Sequence, residues 1–201
     1  MTAGTEQSQR FLDLVVLCLA AVPALVVGAV CAVAVQLTSR GPVLFRQERV
    51  GLDGRSFTLL KFRTMLHDDT PNPLFPDATR ITSAGRWLRR TSLDELPQLI
   101  NVARGDMSLV GPRPTLPYQV ARYDSRQRGR LAVRPGLTGL AQVQGRNGLP
   151  WAERIEIDLD YVARRSLLLD LTILLRSVAV VVRGGGVEGH PTDDPLARPP
   201  E

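Results

Sequence analysis

Histidine and cysteine are nearly absent from this 201-residue chain, at two residues each. Cys18 and Cys31 lie inside one apolar block, so they make neither a disulfide framework nor a metal-ligand spacing. His67 and His190 stand alone in loop-like sequence, which argues against a histidine metal site or a histidine general base. Lysine is scarce as well: Lys61 is the one lysine among 25 cations. Arginine supplies the rest, an always-charged bidentate donor suited to phosphate. No glycine-rich nucleotide loop of the Walker or dinucleotide type is present. The net charge of +5 admits nucleic acid, anionic lipid or a phosphorylated substrate as partner. No nucleic-acid recognition motif accompanies it, so no nucleic acid is expected.

Charge itself is missing from Leu14 to Val35, a run of 22 residues. At about 1.5 Å per residue, a helix of that length matches a bilayer core of about 30 Å. A signal peptide has a shorter apolar core of about 7–15 residues and a cleavage site, so a retained membrane segment over 11–38 is expected. Pro23 interrupts it near the middle. A proline removes a backbone donor and clashes with the preceding turn, so the segment either spans with a bend or turns at Pro23 and leaves on the same face. Arg40, Arg46 and Arg49 follow, which places the next domain in the cytoplasm. Residues 1–10 are polar and expected to be disordered. A membrane-associated domain is expected over 39–184 and a flexible Pro- and Asp-rich tail over 185–201.

Within 39–184 the pattern predicts an α+β fold that is mostly helical. Val43–Glu48 and Ser56–Lys61 are extended candidates around Gly51-Leu52-Asp53-Gly54, a hairpin signal. Residues 67–79 carry loop chemistry. A basic helix should end at Arg90, capped by Thr82 or Ser83. Ser92 and Glu95 have the spacing of a capping box at the start of a helix over Leu93–Val102. Trp151–Arg165 reads as a helix. Ser166–Val182 is apolar but carries Asp170 and Arg176, which suits a core or interfacial helix better than a spanning one.

Asp94 and Glu95 stand together among Arg89, Arg90, Arg104 and Arg113. Two roles are open to them. Acidic residues in a first turn cap a helix and complement its dipole. Two carboxylates among guanidiniums also suit a site that handles phosphate with a metal ion. Arg89, Arg113 and Arg134 each border a rigid turn or a helix end, and either lipid headgroups or substrate phosphate would suit them.

Several motifs occur in order: Gly41-Pro42-Val43, Phe45-Arg46-Gln47, Val50-Gly51, Lys61-Phe62-Arg63-Thr64-Met65 and Gly85-Arg86-Trp87-Leu88-Arg89. Ser92-Leu93-Asp94-Glu95-Leu96-Pro97-Gln98, Gly105-Asp106-Met107-Ser108, Gly111-Pro112-Arg113-Pro114 and Arg134-Pro135-Gly136-Leu137-Thr138-Gly139 continue the series. In these the chain, from about Phe11 to Asp193, resembles the bacterial sugar transferases, monotopic phosphoglycosyl transferases that act on polyprenyl phosphate. The short N-terminus resembles the minimal members. The tail with Glu188-Gly189-His190 is similar to that of the N,N′-diacetylbacillosaminyl-1-phosphate transferases, which implies an N-acetylated amino sugar.

The resemblance implies a re-entrant membrane helix turned at Pro23, with interfacial amphipathic helices around a compact catalytic domain. Members often place a serine before that proline; here Val22 stands there. The implied reaction moves a sugar 1-phosphate from a UDP-sugar to undecaprenyl phosphate and releases UMP, as the first membrane step of a bacterial glycan pathway. Asp94 would be the nucleophile, Glu95 would help bind Mg²⁺ with it or handle the proton as a second catalytic residue, and Arg89, Arg113 and Arg134 would hold phosphates. The setting would be the cytoplasmic face of the bacterial inner membrane, with phospholipid as a partner and an oligomer compatible. The competing role is a non-catalytic membrane-bound scaffold of a polysaccharide assembly system, in which Asp94 and Glu95 serve only as caps.

Overall fold

The computed structural model describes residues 3–66, 80–145 and 149–182. His67, the rest of the loop to 79, and the tail with His190 lie outside the described residues.

One long helix, α1 (Ala3–Thr38), opens the chain, and Pro23 lies inside it without ending it. From Ala3 on its first turns are helical, where the polar sequence led to an expectation of disorder. Gln9 and Asp13 are one helical turn apart on one face and are 5% and 2% exposed. Gln9 Nε2 donates to Val110 O (2.9 Å), Tyr161 Oη (3.2 Å) and Asp170 Oδ2 (3.1 Å). Asp13 Oδ1 accepts from Ser108 Oγ (3.0 Å) and Leu109 N (2.9 Å). Arg10 donates to Val102 O and Ala103 O at 2.6 and 2.8 Å. Polarity here marks a docked face whose partners are more than 90 residues away. The other end of α1 docks as well: Cys31 and Val35 are buried with Phe62 and Leu88. Between these ends Leu19, Val22, Leu25 and Val26 are exposed.

The hairpin follows. Strands β1 (Leu44–Val50) and β2 (Ser56–Phe62) pair antiparallel, from Leu44 with Phe62 to Val50 with Ser56. Asp53 and Gly54 take φ of 54° and 78° in the turn, the left-handed region that this residue pair accepts. Helix α2 (Ser83–Arg90) is capped by Thr82, whose side chain accepts from Gly85 N at 2.9 Å.

Helix α3 (Gln98–Arg104) starts later than expected, and Gly105 ends it with φ 85°. Pro97 has no amide hydrogen, so the helical ladder resumes only after it. Leu93–Glu95 forms a separate 3₁₀ turn, and Ser92 makes no side-chain cap bond. The capping box expected at Ser92 and Glu95 is therefore absent, and so is the long helix over Leu93–Val102.

Strands β3 (Ser108–Val110) and β4 (Gly136–Thr138) pair parallel. Short α4 (Pro117–Ala121) and a 3₁₀ segment (Gln127–Ala132) lie between them. Helices α5 (Leu140–Gly145), α6 (Trp151–Arg164) and α7 (Leu167–Val182) complete the described chain. The main core joins Leu59, Val102, Met107, Leu109, Tyr161 and Ile173, so the hairpin, α3, β3, α6 and α7 share one interior. The observed architecture is α+β and mostly helical, with one long apolar N-terminal helix and two small sheets.

The two halves of the second sheet approach so closely that a Cβ on Gly136 would collide with the Gly111 backbone. Gly136→Ala is expected to destabilise the fold by about 1–3 kcal/mol. Thermal unfolding of the detergent-solubilised protein measures it; an unchanged midpoint would contradict the packing.

Candidate active site

The second strand of the hairpin brings a cation to the acidic pair. Lys61 sits one residue before β2 ends, opposite Phe45. Its Nζ donates to Glu95 Oε1 at 2.8 Å, and Arg113 Nη2 donates to the same oxygen at 2.8 Å. Glu95 thus joins the hairpin to the loop after β3. Asp94, beside it in the 3₁₀ turn, receives no hydrogen bond among the described residues. Arg89, near the end of α2, donates through Nε to Thr64 Oγ1 at 2.9 Å and lies close enough to influence Asp94 electrostatically.

The turn owes its position to Ser92. Its φ of 58° and ψ of 15° are left-handed, a conformation a non-glycine residue adopts at a cost of about 1–3 kcal/mol. That bend takes the chain out of α2 and sets Asp94-Glu95 against β2. With no α-helix beginning at Asp94, the helix-dipole and capping role loses its basis. Side chains from β2, α2 and the loop after β3 set the electrostatics instead.

The loop after β3 is fixed at four consecutive carbonyls. Pro112 O accepts from Gly136 N (2.9 Å), Arg113 O from Arg130 Nη2 (2.7 Å), Pro114 O from Arg49 Nη1 (3.1 Å) and Thr115 O from Val50 N (2.9 Å). Arg130 is fully enclosed at 2% exposure, and so is its partner Asp158. Its Nε donates to Asp158 Oδ2 at 2.7 Å and its Nη1 to Tyr123 Oη at 2.8 Å. A buried guanidinium is tolerated when its donors are paired in this way.

The two carboxyls of the pair diverge in acidity. Burial alone would raise Glu95, but the charges and hydrogen bonds of Arg113 and Lys61 outweigh it and hold the carboxyl well below the usual range. Burial raises Asp94, and Lys61, Arg89 and Arg113 offset only part of that rise, while the Glu95 charge adds to it. Burial lowers Lys61, with Glu95 opposing, and lowers Arg89, with Asp94 opposing. Glu95 raises Arg113 against its own burial. Three cations surround two carboxylates, so an incoming anion would complete the charge balance.

The expected site residues separate accordingly. Asp94, Glu95, Arg89 and Arg113 come together. Arg134 does not: its Nε donates to Gly105 O at 2.9 Å and its Nη1 pairs with Glu6 of α1. Its guanidinium ties the loop before β4 to the N-terminal helix. Arg90 and Arg104 are exposed at the ends of α2 and α3. Lys61, Thr64, Arg49 and Arg130 were not foreseen as parts of the site. For Lys61 one signal existed: it is the single lysine in a chain that otherwise uses arginine.

No group of three or more His, Cys, Asp or Glu side chains gathers among the described residues. A preformed metal cage is therefore not found among them. The adjacent carboxylates fit the other mode of Mg²⁺ binding, in which one or two carboxylates are supplemented by substrate phosphates and water. Asp94 has both oxygens uncommitted, and Glu95 has committed only Oε1.

A model of the bacterial sugar transferase family matches residues 5–184. This chain belongs to that family. It is 47% identical over 155 residues to the uncharacterized sugar transferase EpsL of Bacillus subtilis (strain 168), covering 77% of each chain. It is 49% identical over 158 residues to a UDP-glucose:undecaprenyl-phosphate glucose-1-phosphate transferase of Caulobacter vibrioides, covering 73% of this chain and 59% of that one. It is 41% identical over 170 residues to the exopolysaccharide production protein ExoY of Rhizobium meliloti, covering 76% and 75%. Of several longer relatives the matched stretch spans 30% to 36%.

Within this sugar transferase, Asp158→Asn should leave the Arg130 guanidinium buried and uncompensated. The expected loss is about 3–5 kcal/mol of stability, with the Arg113 loop loosened as a consequence. Arg130→Met combined with Asp158→Leu should cost less than Asp158→Asn alone, because no unpaired charge remains. Chemical denaturation of the three proteins tests this; equal losses would contradict it.

Proposed function

We propose that this sugar transferase moves a sugar 1-phosphate from a UDP-sugar to undecaprenyl phosphate, releasing UMP. The observation that carries this reading is the Asp94 carboxyl: unbonded, half-buried, and within the influence of Lys61, Arg89 and Arg113. A group so placed can approach a phosphorus whose oxygens are held by those cations. The names of the Caulobacter relative and ExoY supply the substrate class and the glycan context.

In the first step an Asp94 oxygen forms a bond to the sugar-side phosphorus. The bond from that phosphorus to the bridging oxygen breaks, and UMP departs with the electron pair. In the second step an oxygen of undecaprenyl phosphate attacks the same phosphorus. The aspartyl bond breaks, Asp94 is regenerated and the polyprenyl diphosphosugar is released. Arg113 and Lys61 bind phosphate oxygens while keeping Glu95 ionised, and Arg89 steadies charge near Asp94. Asp94 reacts as the ionised carboxylate, and bringing cations close to a buried carboxyl favours that form. Asp94 and Glu95 would hold Mg²⁺, whose charge would offset that developing on the leaving phosphate.

The acceptor is a lipid, so the site belongs at a membrane surface, here assigned to the cytoplasmic face of the bacterial inner membrane. α1 supports membrane association, being long and apolar with an exposed middle. The re-entrant geometry has support in its contacts. Gln9 and Asp13 near one end, and Cys31 and Val35 near the other, pack on the same globule, with Pro23 between. A helix crossing a bilayer would carry its ends to opposite faces. On α7, Leu168, Leu171, Leu175 and Val178 recur at helical spacing and are exposed, as an interfacial helix requires.

A scaffold would need Asp94 and Glu95 only as caps, and they cap no helix. The tail that suggested an N-acetylated amino sugar lies outside the described residues, so the donor is left as a UDP-sugar.

The test is UMP release from UDP-glucose, UDP-galactose and UDP-N-acetylhexosamines, each with undecaprenyl phosphate and Mg²⁺. At least one donor should support turnover, and Asp94→Asn should lower it at least about 10³-fold. Undiminished turnover in Asp94→Asn would remove Asp94 from the nucleophile role. No UMP from any donor would favour the scaffold.

A further inference from the structure

One cation beside the site has an idle donor. Arg49, near the end of β1, gives its Nη1 to Pro114 O and its Nη2 to Gln47 Oε1, at 3.1 and 2.6 Å. Its Nε is closed off from solvent without a hydrogen-bond partner. Tyr118, at the start of α4, is in the same condition: its hydroxyl is enclosed and unpaired. Helix α4 packs against β1, and Arg49 Nη1 reaches Pro114 O just ahead of that helix, which brings the two side chains to one side of the loop, where each influences the ionisation of the other. Leaving a buried donor dry and unpaired is unfavourable. Two such donors side by side lack one acceptor, and an anion would satisfy both.

Their place relative to Asp94 indicates which anion. Arg49 is influenced by Arg113 and Glu95. The main influences on Asp94 are Lys61, Glu95, Arg89 and Arg113, and Arg49 is not one of them. Arg49 Nη1 donates to Pro114 O beside Arg113, and Arg113 Nη2 donates to Glu95 beside Asp94, so Arg113 stands between Arg49 and the acidic pair. The hairpin register agrees. Phe45, Gln47 and Arg49 alternate onto one face of β1, and Lys61 lies opposite Phe45 on that face. Lys61 and Arg49 are thus four residues apart along the strand, about 13 Å between backbone positions. The bond from Arg49 to Gln47 turns its guanidinium back into that gap. The result is a row of charge that begins at Asp94 and continues through Lys61 and Arg113 to Arg49 and Tyr118.

We propose that Arg49 and Tyr118 bind the nucleotide-side phosphate of the donor, the group that leaves as a nucleoside monophosphate. This rests on the transfer reading given above. With the sugar-side phosphorus at Asp94, the second phosphate follows the row past Arg113 and meets the two idle donors. The acceptor phosphate is the alternative source of the same chemistry, and separate measurements on donor and acceptor distinguish the two.

The test uses the full-length protein in detergent with two variants, Arg49→Gln and Tyr118→Phe. The second removes one oxygen and keeps the ring, so it preserves packing if the first fails to fold. UMP binding is measured directly by calorimetry, and KM is measured separately for the UDP-sugar and for undecaprenyl phosphate. Arg49→Gln should weaken UMP binding and raise the donor KM by about tenfold or more, and Tyr118→Phe by about threefold or more. The acceptor KM should stay within about twofold. Wild-type UMP affinity retained in both variants, an acceptor KM that rises alone, or a wild-type protein that binds no UMP would each overturn the proposal. Calorimetry needs no turnover. Loss of UMP binding in the variants of a protein without transfer activity would therefore uphold the subsite and refute the transfer reading.

Discussion

One carboxylate oxygen, Glu95 Oε1, holds the site together by accepting from both Lys61 and Arg113. The two donors come from the hairpin and the loop after β3, which also meet through Arg49 Nη1 to Pro114 O and Val50 N to Thr115 O. Each cation alone would repel the other across a half-buried space. Glu95 turns that repulsion into a shared attraction and stays ionised in doing so. Asp94 is the by-product: a neighbouring carboxyl placed among the same cations but bonded to none of them.

That arrangement needs a rigid frame, and the chain supplies it in layers. The loop that carries Arg113 is gripped at four successive carbonyls. One of those grips comes from Arg130, whose burial is sustained by Asp158 on α6. Helix α6 belongs to the main core through Tyr161, which in turn touches Gln9 of the long N-terminal helix. The buried polar contacts of Asp158 and Tyr161, three residues apart on α6, therefore link α1 to the loop of the site through that helix. Such networks stay favourable only when nearly every member is paired. Arg49 Nε and the Tyr118 hydroxyl depart from that rule beside the site.

Local chemistry made much of the fold legible in the sequence. Asp53-Gly54 announced the hairpin, Thr82 the start of α2, Gly105 the end of α3, and the uncharged run the long helix. Three features were not legible, because each depends on partners far along the chain. The polar start of α1 looked unstructured because its partners lie near residues 102–110, 161 and 170. Arg134 borders a rigid turn like a phosphate ligand, yet its partner is Glu6, 128 residues away. Asp94 and Glu95 had the spacing of a helix start, and Pro97 moved that start three residues beyond them. Arg130 and Asp158 gave no signal at all: a buried ion pair reads as two ordinary surface charges.

The central claim is that Asp94 is the group that forms a bond to phosphorus. Intact-protein mass spectrometry after incubation with the accepted UDP-sugar, in the absence of undecaprenyl phosphate, tests it directly. The expected result is an added mass of one sugar phosphate, located on the peptide that contains Asp94 and discharged when undecaprenyl phosphate is supplied. An adduct on another residue, or transfer to the lipid with no adduct at any time, would contradict it.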